Sequence, residues 1–150
     1  MADYFYGCIT VGGDLRAVDL PRFCGTLASA PFDVSEHIRN GFFEIDRDDA
    51  RYGQFEEFEE LCRELGLSYI RQSDGKYEFS PEIAFWKPGM SGPYRVITDH
   101  NGNMLVTMPT VRQIRNALVA HDIPEACFLA DRAVVDLPEL PPFRLVENEG

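Results

Sequence analysis

A chain of 150 residues, 45% apolar and 26% charged, has the size and composition of one compact domain. That excludes disorder of the whole chain and removes the need for a disulfide or metal to fold. The formal net charge of −11 opposes phosphate backbones and anionic membranes and favours partners with basic faces.

In chain order, residues 4–11 (YFYGCITV) are expected as a strand, turned by Gly12-Gly13-Asp14 into a short returning partner, LRAV. The Gly pair lacks both G-x-G-x-x-G and a following G-K-[ST], so it is a turn and not a phosphate loop. Asp19 predicts an N-cap for a helix over about 20–29, with Pro21 in its first turn. Residues 31–40 read as irregular or a short helix. GFFEID (41–46) is a strand and DRDDARYG (46–53) a polar connection. In QFEEFEELCRELG (54–66), Phe55, Phe58, Leu61, Cys62 and Leu65 recur at helical steps, with Glu56, Glu57, Glu59, Glu60 and Glu64 on the other face and Gly66 as the stop. Asp74-Gly75 marks a hairpin, with Pro81 bending its second strand. KPGMSGP (87–93) is a loop. A second hairpin over 94–108 turns at Asn101-Gly102, setting Ile97 opposite Val106 and Thr98 opposite Leu105. Thr110-x-x-Gln113 is a capping box for a helix over about 111–121 with Val111, Ile114, Ala117 and Leu118 inward. ACFLA (126–130) is expected as a last strand.

These elements predict an α+β domain over 1–137. Its sheet is mostly antiparallel with two β-hairpins, and about three helices pack on one side. Residues 138–150, proline-containing and acidic, are expected as an extended C-terminal tail on the surface or free. No apolar run approaches the roughly 18 residues of a membrane span. MADYFYGCITVGG has no basic leader before an apolar segment, so a cytoplasmic location is expected. Cys8, Cys24, Cys62 and Cys127 are scattered without a C-x-x-C pair, as reduced thiols would be.

The charge is unevenly placed. Residues 41–66 hold 9 acids and 3 bases, and 122–150 hold 7 and 2, whereas 67–121 hold 4 and 6. Glu56, Glu60 and Glu64 form an i, i+4, i+8 row, about 6 Å per step, where like charges cost a few tenths of a kcal/mol per pair. Glu59 and Arg63 are the one favourable i, i+4 pair. Such a face suits solubility, and it also suits a partner whose lysines and arginines normally hold phosphates.

Signals for chemistry are weak. His37, His100 and His121 have no zinc spacing, and the acidic run 46–57 lacks the order of a calcium loop, so neither metal nor cofactor is expected. No nucleophile turn is present, and no catalytic residue is assigned. The aromatics Tyr69, Tyr77, Phe79, Phe85 and Trp86 favour core packing over base stacking, and Trp86 beside Lys87 is the best candidate for an exposed anchor. Arg112 and Arg115 suit pairing with the acidic segments or with a symmetry-related subunit.

The leading expectation is a small non-enzymatic interaction protein that binds a basic face of a partner protein and does not itself bind nucleic acid or membrane. Its contact residues are Glu56, Glu57, Glu60, Glu64, Asp48, Asp49, Trp86 and Lys87. The most concrete version is a nucleic-acid-mimicking inhibitor of a host nuclease, of anti-restriction or anti-CRISPR type. A homo-oligomer is compatible with it. The alternatives are an enzyme with its site in a sheet cleft near Tyr69, Tyr77, Trp86 and His100, and a structural subunit of a larger assembly.

Overall fold

Alternation of Ile9 and Val11 with Cys8 and Thr10 makes a strand that buries one face, and that strand is the hub of the fold. The computed structural model describes residues 4–27, 33–51, 55–74 and 80–147, with the backbone alone for 4–6 and 47–51. Strand β1 (Tyr4–Arg16) runs straight through the expected Gly12-Gly13 turn. Its first part pairs antiparallel with β3 (Phe42–Arg51) on one side and β4 (Ser68–Ser73) on the other. Its last four residues pair parallel with β7 (Phe143–Val146). The two glycines make that change of partner feasible. Gly13 has a φ of 116°, closed to most side chains, and a Cβ on Gly12 would lie 2.0 Å from the Pro141 carbonyl oxygen. The glycines mark a close backbone approach, not a reversal.

The segment expected as a surface tail does run extended, but it is joined to the sheet. Gly13 N donates to Pro142 O (3.2 Å), Phe143 N donates to Gly41 O (2.8 Å), and the Phe143 ring is buried. There it completes an aromatic cluster. Phe23 meets Phe43 and Phe58 edge-on at 5.0 Å each, and Phe143 lies 5.8 Å from Phe23 and 5.6 Å from Phe43.

Among the described residues, seven strands form one sheet in the order β2-β3-β1-β4-β5-β6, with β7 beside β1. Strands β2 (Ile38–Arg39), β5 (Glu82–Trp86) and β6 (Tyr94–Ile97) supply the rest. The α+β class and the mostly antiparallel sheet stand as expected. Strand β3 continues through the stretch read as a polar connection, held by its ladder to β1. It is entered from β2 through Asn40-Gly41, both at positive φ (54° and 85°), a hairpin dipeptide that the chain states openly and that the sequence reading passed over. Strands β4 and β5 pair in register from Tyr69↔Trp86 to Ser73↔Glu82. Gly75, Tyr77 and Phe79 lie outside the described residues, and β5 begins after Pro81.

Helix α1 (Leu20–Gly25) is shorter than expected; Asp19 stands at its N-cap with Pro21 in the first turn as expected, but the Asp19 carboxylate accepts from Arg16 Nε (3.1 Å) and caps no backbone N–H. Helix α2 (Glu56–Glu64) buries Phe58, Leu61 and Cys62, and Phe55 just before it is buried as well. Gly66 at φ 72° ends it, with Leu67 N bonded back to Cys62 O (2.8 Å) and Leu67 fully buried.

Beyond β6 the sequence expectations fail in a connected way. Asp99 Oδ1 accepts from Asn101 N and Asn103 N, Gly102 takes φ 83°, and Thr98 pairs with Met104 instead of Leu105. The loop therefore has three residues and a left-handed glycine, which shifts the register by one and ends the returning strand after a single bridge. Helix α3 (Met108–Val119) starts earlier than the capping box suggested, with Thr107 at its N-cap and Pro109 in the first turn. Of its expected inward residues only Ala117 is buried; Val111 and Leu118 are exposed. ACFLA is not a strand. It lies in α4 (Ile123–Ala133), opened by Asp122, whose carboxylate accepts from Glu125 N (3.2 Å). An Asp cap, Pro124 and Glu125 outweigh the local β-propensity of Cys-Phe-Leu. Helices α3 and α4 pack on each other as a hairpin. No helix is long and apolar enough to cross a membrane among the described residues.

Candidate interaction surfaces

Helix α2 lies over the β1–β4 side of the sheet with its apolar face in the core, so its other face is held rigidly outward. The division of its glutamates differs from the expected one. Glu59 is only 5% exposed, and its carboxylate accepts from Arg71 Nε at 2.7 Å. Arg71, 0% exposed on β4, also donates Nη2 to Glu82 (2.9 Å) and Nη1 to Ser73. Burial alone would lower the Arg71 pKa; the Glu59 and Glu82 carboxylates override it, and the guanidinium is held charged above its ordinary range. Arg63, released from Glu59, donates to the Tyr69 hydroxyl (2.8 Å). Glu64 is answered by Arg22 Nη2 (2.9 Å) at the surface.

The expected row of carboxylates is thus shortened at one end. Glu56, Glu57 and Glu60 are exposed, and none makes an ion pair among the described residues. Glu57, Glu60 and Glu64 line a shallow depression of about 380 Å³ with Arg22, Thr26 and Leu61. The side chains of Asp48 and Asp49 lie outside the described ones. Trp86, expected as an exposed anchor, is only 8% exposed within the core, and its indole Nε1 donates to Met90 O (3.2 Å). The ring closes the 87–90 turn from inside, where Gly89 takes φ 99°, and Lys87 remains on the outside. A cross-strand position opposite Tyr69 puts Trp86 against the helices, a placement that pairing, not composition, decides.

The residues expected around an enzyme cleft do not converge. Tyr69 and Trp86 are buried at one end of the β4–β5 ladder. His100 is exposed beyond Thr98, next to the Ser73–Glu82 end four residues away, about 13 Å along a strand. Tyr77 lies outside the described residues. Burial raises the Tyr69 pKa, with Glu59 adding to it. Burial pushes the Cys8 thiol up to about 11, with Glu44 and Asp46 contributing, and pushes Cys62 up further. High pKa values make these two thiols poor nucleophiles.

A surface that the sequence reading missed lies beside β6. The sheet ends at this strand, and Tyr94 to Ile97, Leu105, Val106, Thr110, Gln113, Leu129 and Arg132 line a groove of about 660 Å³ between it and the helical hairpin. Ile97, Leu105 and Val106 are each more than half exposed there. Among the described residues, Arg95 and Arg132 are its only charged lining residues. The Asp122-Ile123-Pro124-Glu125 start signal was the clue: once read as a helix start, it makes α4 the far wall.

No protein-family model matches the chain, and no curated protein or solved structure matches it significantly.

Proposed function

We propose that the protein is a non-enzymatic interaction protein that engages a basic surface of a partner protein through α2. One observation carries this reading: Glu56, Glu57 and Glu60 stand exposed, without an ion-pair partner among the described residues, on a helix whose opposite face is locked into the core. Carboxylates presented on a rigid helix attract arginines and lysines, and only their side chains, not the backbone that carries them, are ordered on binding. The narrower form of the proposal is competition with nucleic acid for the basic channel of a nuclease, as inhibitors carried by mobile elements do, in a reducing cytoplasm where the four cysteines stay free thiols. The protein itself does not hold DNA or RNA.

The test is the triple change Glu56→Gln, Glu57→Gln, Glu60→Gln, with the partner isolated on the parent protein. Melting should be unchanged, while affinity for the partner falls and its salt dependence flattens. Equal affinity of parent and variant across salt would remove the proposal, as would micromolar, salt-sensitive binding of the parent to DNA in an anisotropy titration.

A second reading attaches to the groove beside β6. An extended peptide added along this edge strand would place apolar side chains against Ile97, Leu105 and Leu129 and a carboxylate near Arg95 or Arg132. Arg132→Glu should weaken such a peptide and leave the α2 partner unaffected.

A further inference from the structure

The α3–α4 hairpin has two sides, and the apolar one faces away from the protein. Ala117 on α3 and Ala126 on α4 are the buried residues of the two helices, so they mark the lines along which the helices meet. At 100° per residue, Val111, Ile114 and Leu118 form a stripe a quarter turn from Ala117. Ile123, Cys127, Ala130 and Val134 form a stripe a little under a quarter turn from Ala126, in the same rotational sense. In an antiparallel pair these two stripes fall on one side of the hairpin. Gln113, Leu129 and Arg132 lie in the opposite sense and line the groove that faces β6. The double stripe therefore points away from the sheet. Its exposure agrees: Val111 is 44% exposed, Leu118 49%, Ile123 52% and Val134 62%.

The charges at the rim select what covers it. Arg115, with Arg112 beside it, borders the stripe on the outer edge of α3; Asp131 borders it on the outer edge of α4. All three are exposed, and none has an ion-pair partner among the described residues. With Ala117 and Ala126, the buried residues of the two packed helices, set at one level, Asp131 stands level with Arg112. Arg115 is about 4.5 Å higher, and helix side chains lean toward the N-terminus, which brings Arg115 down and Asp131 up. A twofold axis parallel to the helices lays α3 on α4 of the other copy and sets each arginine edge against an aspartate edge. The other face-to-face twofold lays α3 on α3 and opposes Arg112 and Arg115 to their own copies.

We propose that this face is a homodimer interface. Two copies pack their hairpins into an antiparallel four-helix bundle about a twofold axis parallel to the helices, with Arg115 of one copy facing Asp131 of the other. The helices are 12 and 11 residues long, so the face measures about 18 by 20 Å. Such a face is smaller than standard interfaces, so self-association is expected to be weak and concentration-dependent.

Sedimentation of the full chain from about 1 to 200 μM tests this. The species should move from 17.0 kDa toward twice that mass. Leu118→Glu, at a half-exposed site, should keep the parent circular dichroism and sediment as a monomer. Arg115→Asp and Asp131→Arg should each weaken dimerisation by about tenfold or more, and the double charge swap should recover it. Alkylation of Cys127 should slow as parent concentration rises and stay fast in Leu118→Glu. If Leu118→Glu misfolds, the charge swap decides alone. A parent that stays monomeric, a dimer indifferent to these changes, a swap that does not recover, or a different protein bound to this face of a monomer would each overturn the proposal.

Discussion

The α2 side of the sheet and the α3–α4 hairpin both carry amphipathic helices, and they treat their apolar faces oppositely. On α2, Phe58 and Cys62 are sealed against Phe23, Phe43 and the sheet. On the hairpin, Val111, Leu118, Ile123 and Phe128 face outward, and Phe128 is covered on one side by the Arg132 guanidinium at 5.5 Å. The difference is in the neighbours. Helix α2 has a sheet to lie on, while α3 and α4 have chiefly each other, and two helices cannot bury two full apolar stripes. Helical periodicity therefore locates an apolar face without saying that the same chain covers it.

The sharpest way to break this comparison is a matched pair of truncations. Phe58→Ala should cost about 3–5 kcal/mol, most of a small domain's margin. Leu118→Ala, measured at concentrations where the chain is monomeric, should cost under about 1 kcal/mol. Equal costs in denaturant melts would mean that the hairpin is covered within the monomer.

The two kinds of glutamate on α2 give the next contrast. Glu59→Ala leaves Arg71 buried with Glu82 as its remaining carboxylate and should cost about 3 kcal/mol. Glu60→Ala should stay within about 0.5 kcal/mol of neutral or stabilise slightly, since it relieves a like-charge row. A large loss from Glu60→Ala would place that side chain in an unseen contact.

Gly12→Ala forces a Cβ against backbone at Pro141 and should cost about 1–3 kcal/mol. Faster proteolysis after residue 140 in this variant, with α2 still protected, would assign the loss to β7. An unchanged melt would mean that the final strand contributes little.

The remaining effect is in alkali. The folded Cys8 thiol titrates near 11, above its ordinary value of 9.0, so the folded state favours the protonated form. The unfolded chain loses that proton first. The stabilisation is complete below pH 9 and is lost as pH rises toward 11. Thermal midpoints should begin to fall above about pH 9, and Cys8→Ala should fall less steeply across that window. Identical slopes for parent and variant would assign the alkaline loss to other groups such as Tyr69.

The α+β class, the face that α2 buries and its stop at Gly66 follow from periodicity and local turn chemistry, which nearby residues determine by themselves. The same holds for the Asn40-Gly41 turn and the Asp122 cap, which were legible even where the reading passed them over. What only the tertiary structure decided rests on partners distant in sequence. Gly12 and Gly13 read as a turn until Pro141 and Pro142, nearly the whole chain away, come to lie against them. Glu59 looks like its neighbours Glu56 and Glu60 until Arg71 rises from β4 beneath it. Trp86 looks like an anchor until its pairing with Tyr69 turns it inward. Local sequence sets which face of an element is apolar or charged; only the arrangement of the other elements determines whether that face meets the core, a counter-charge or water.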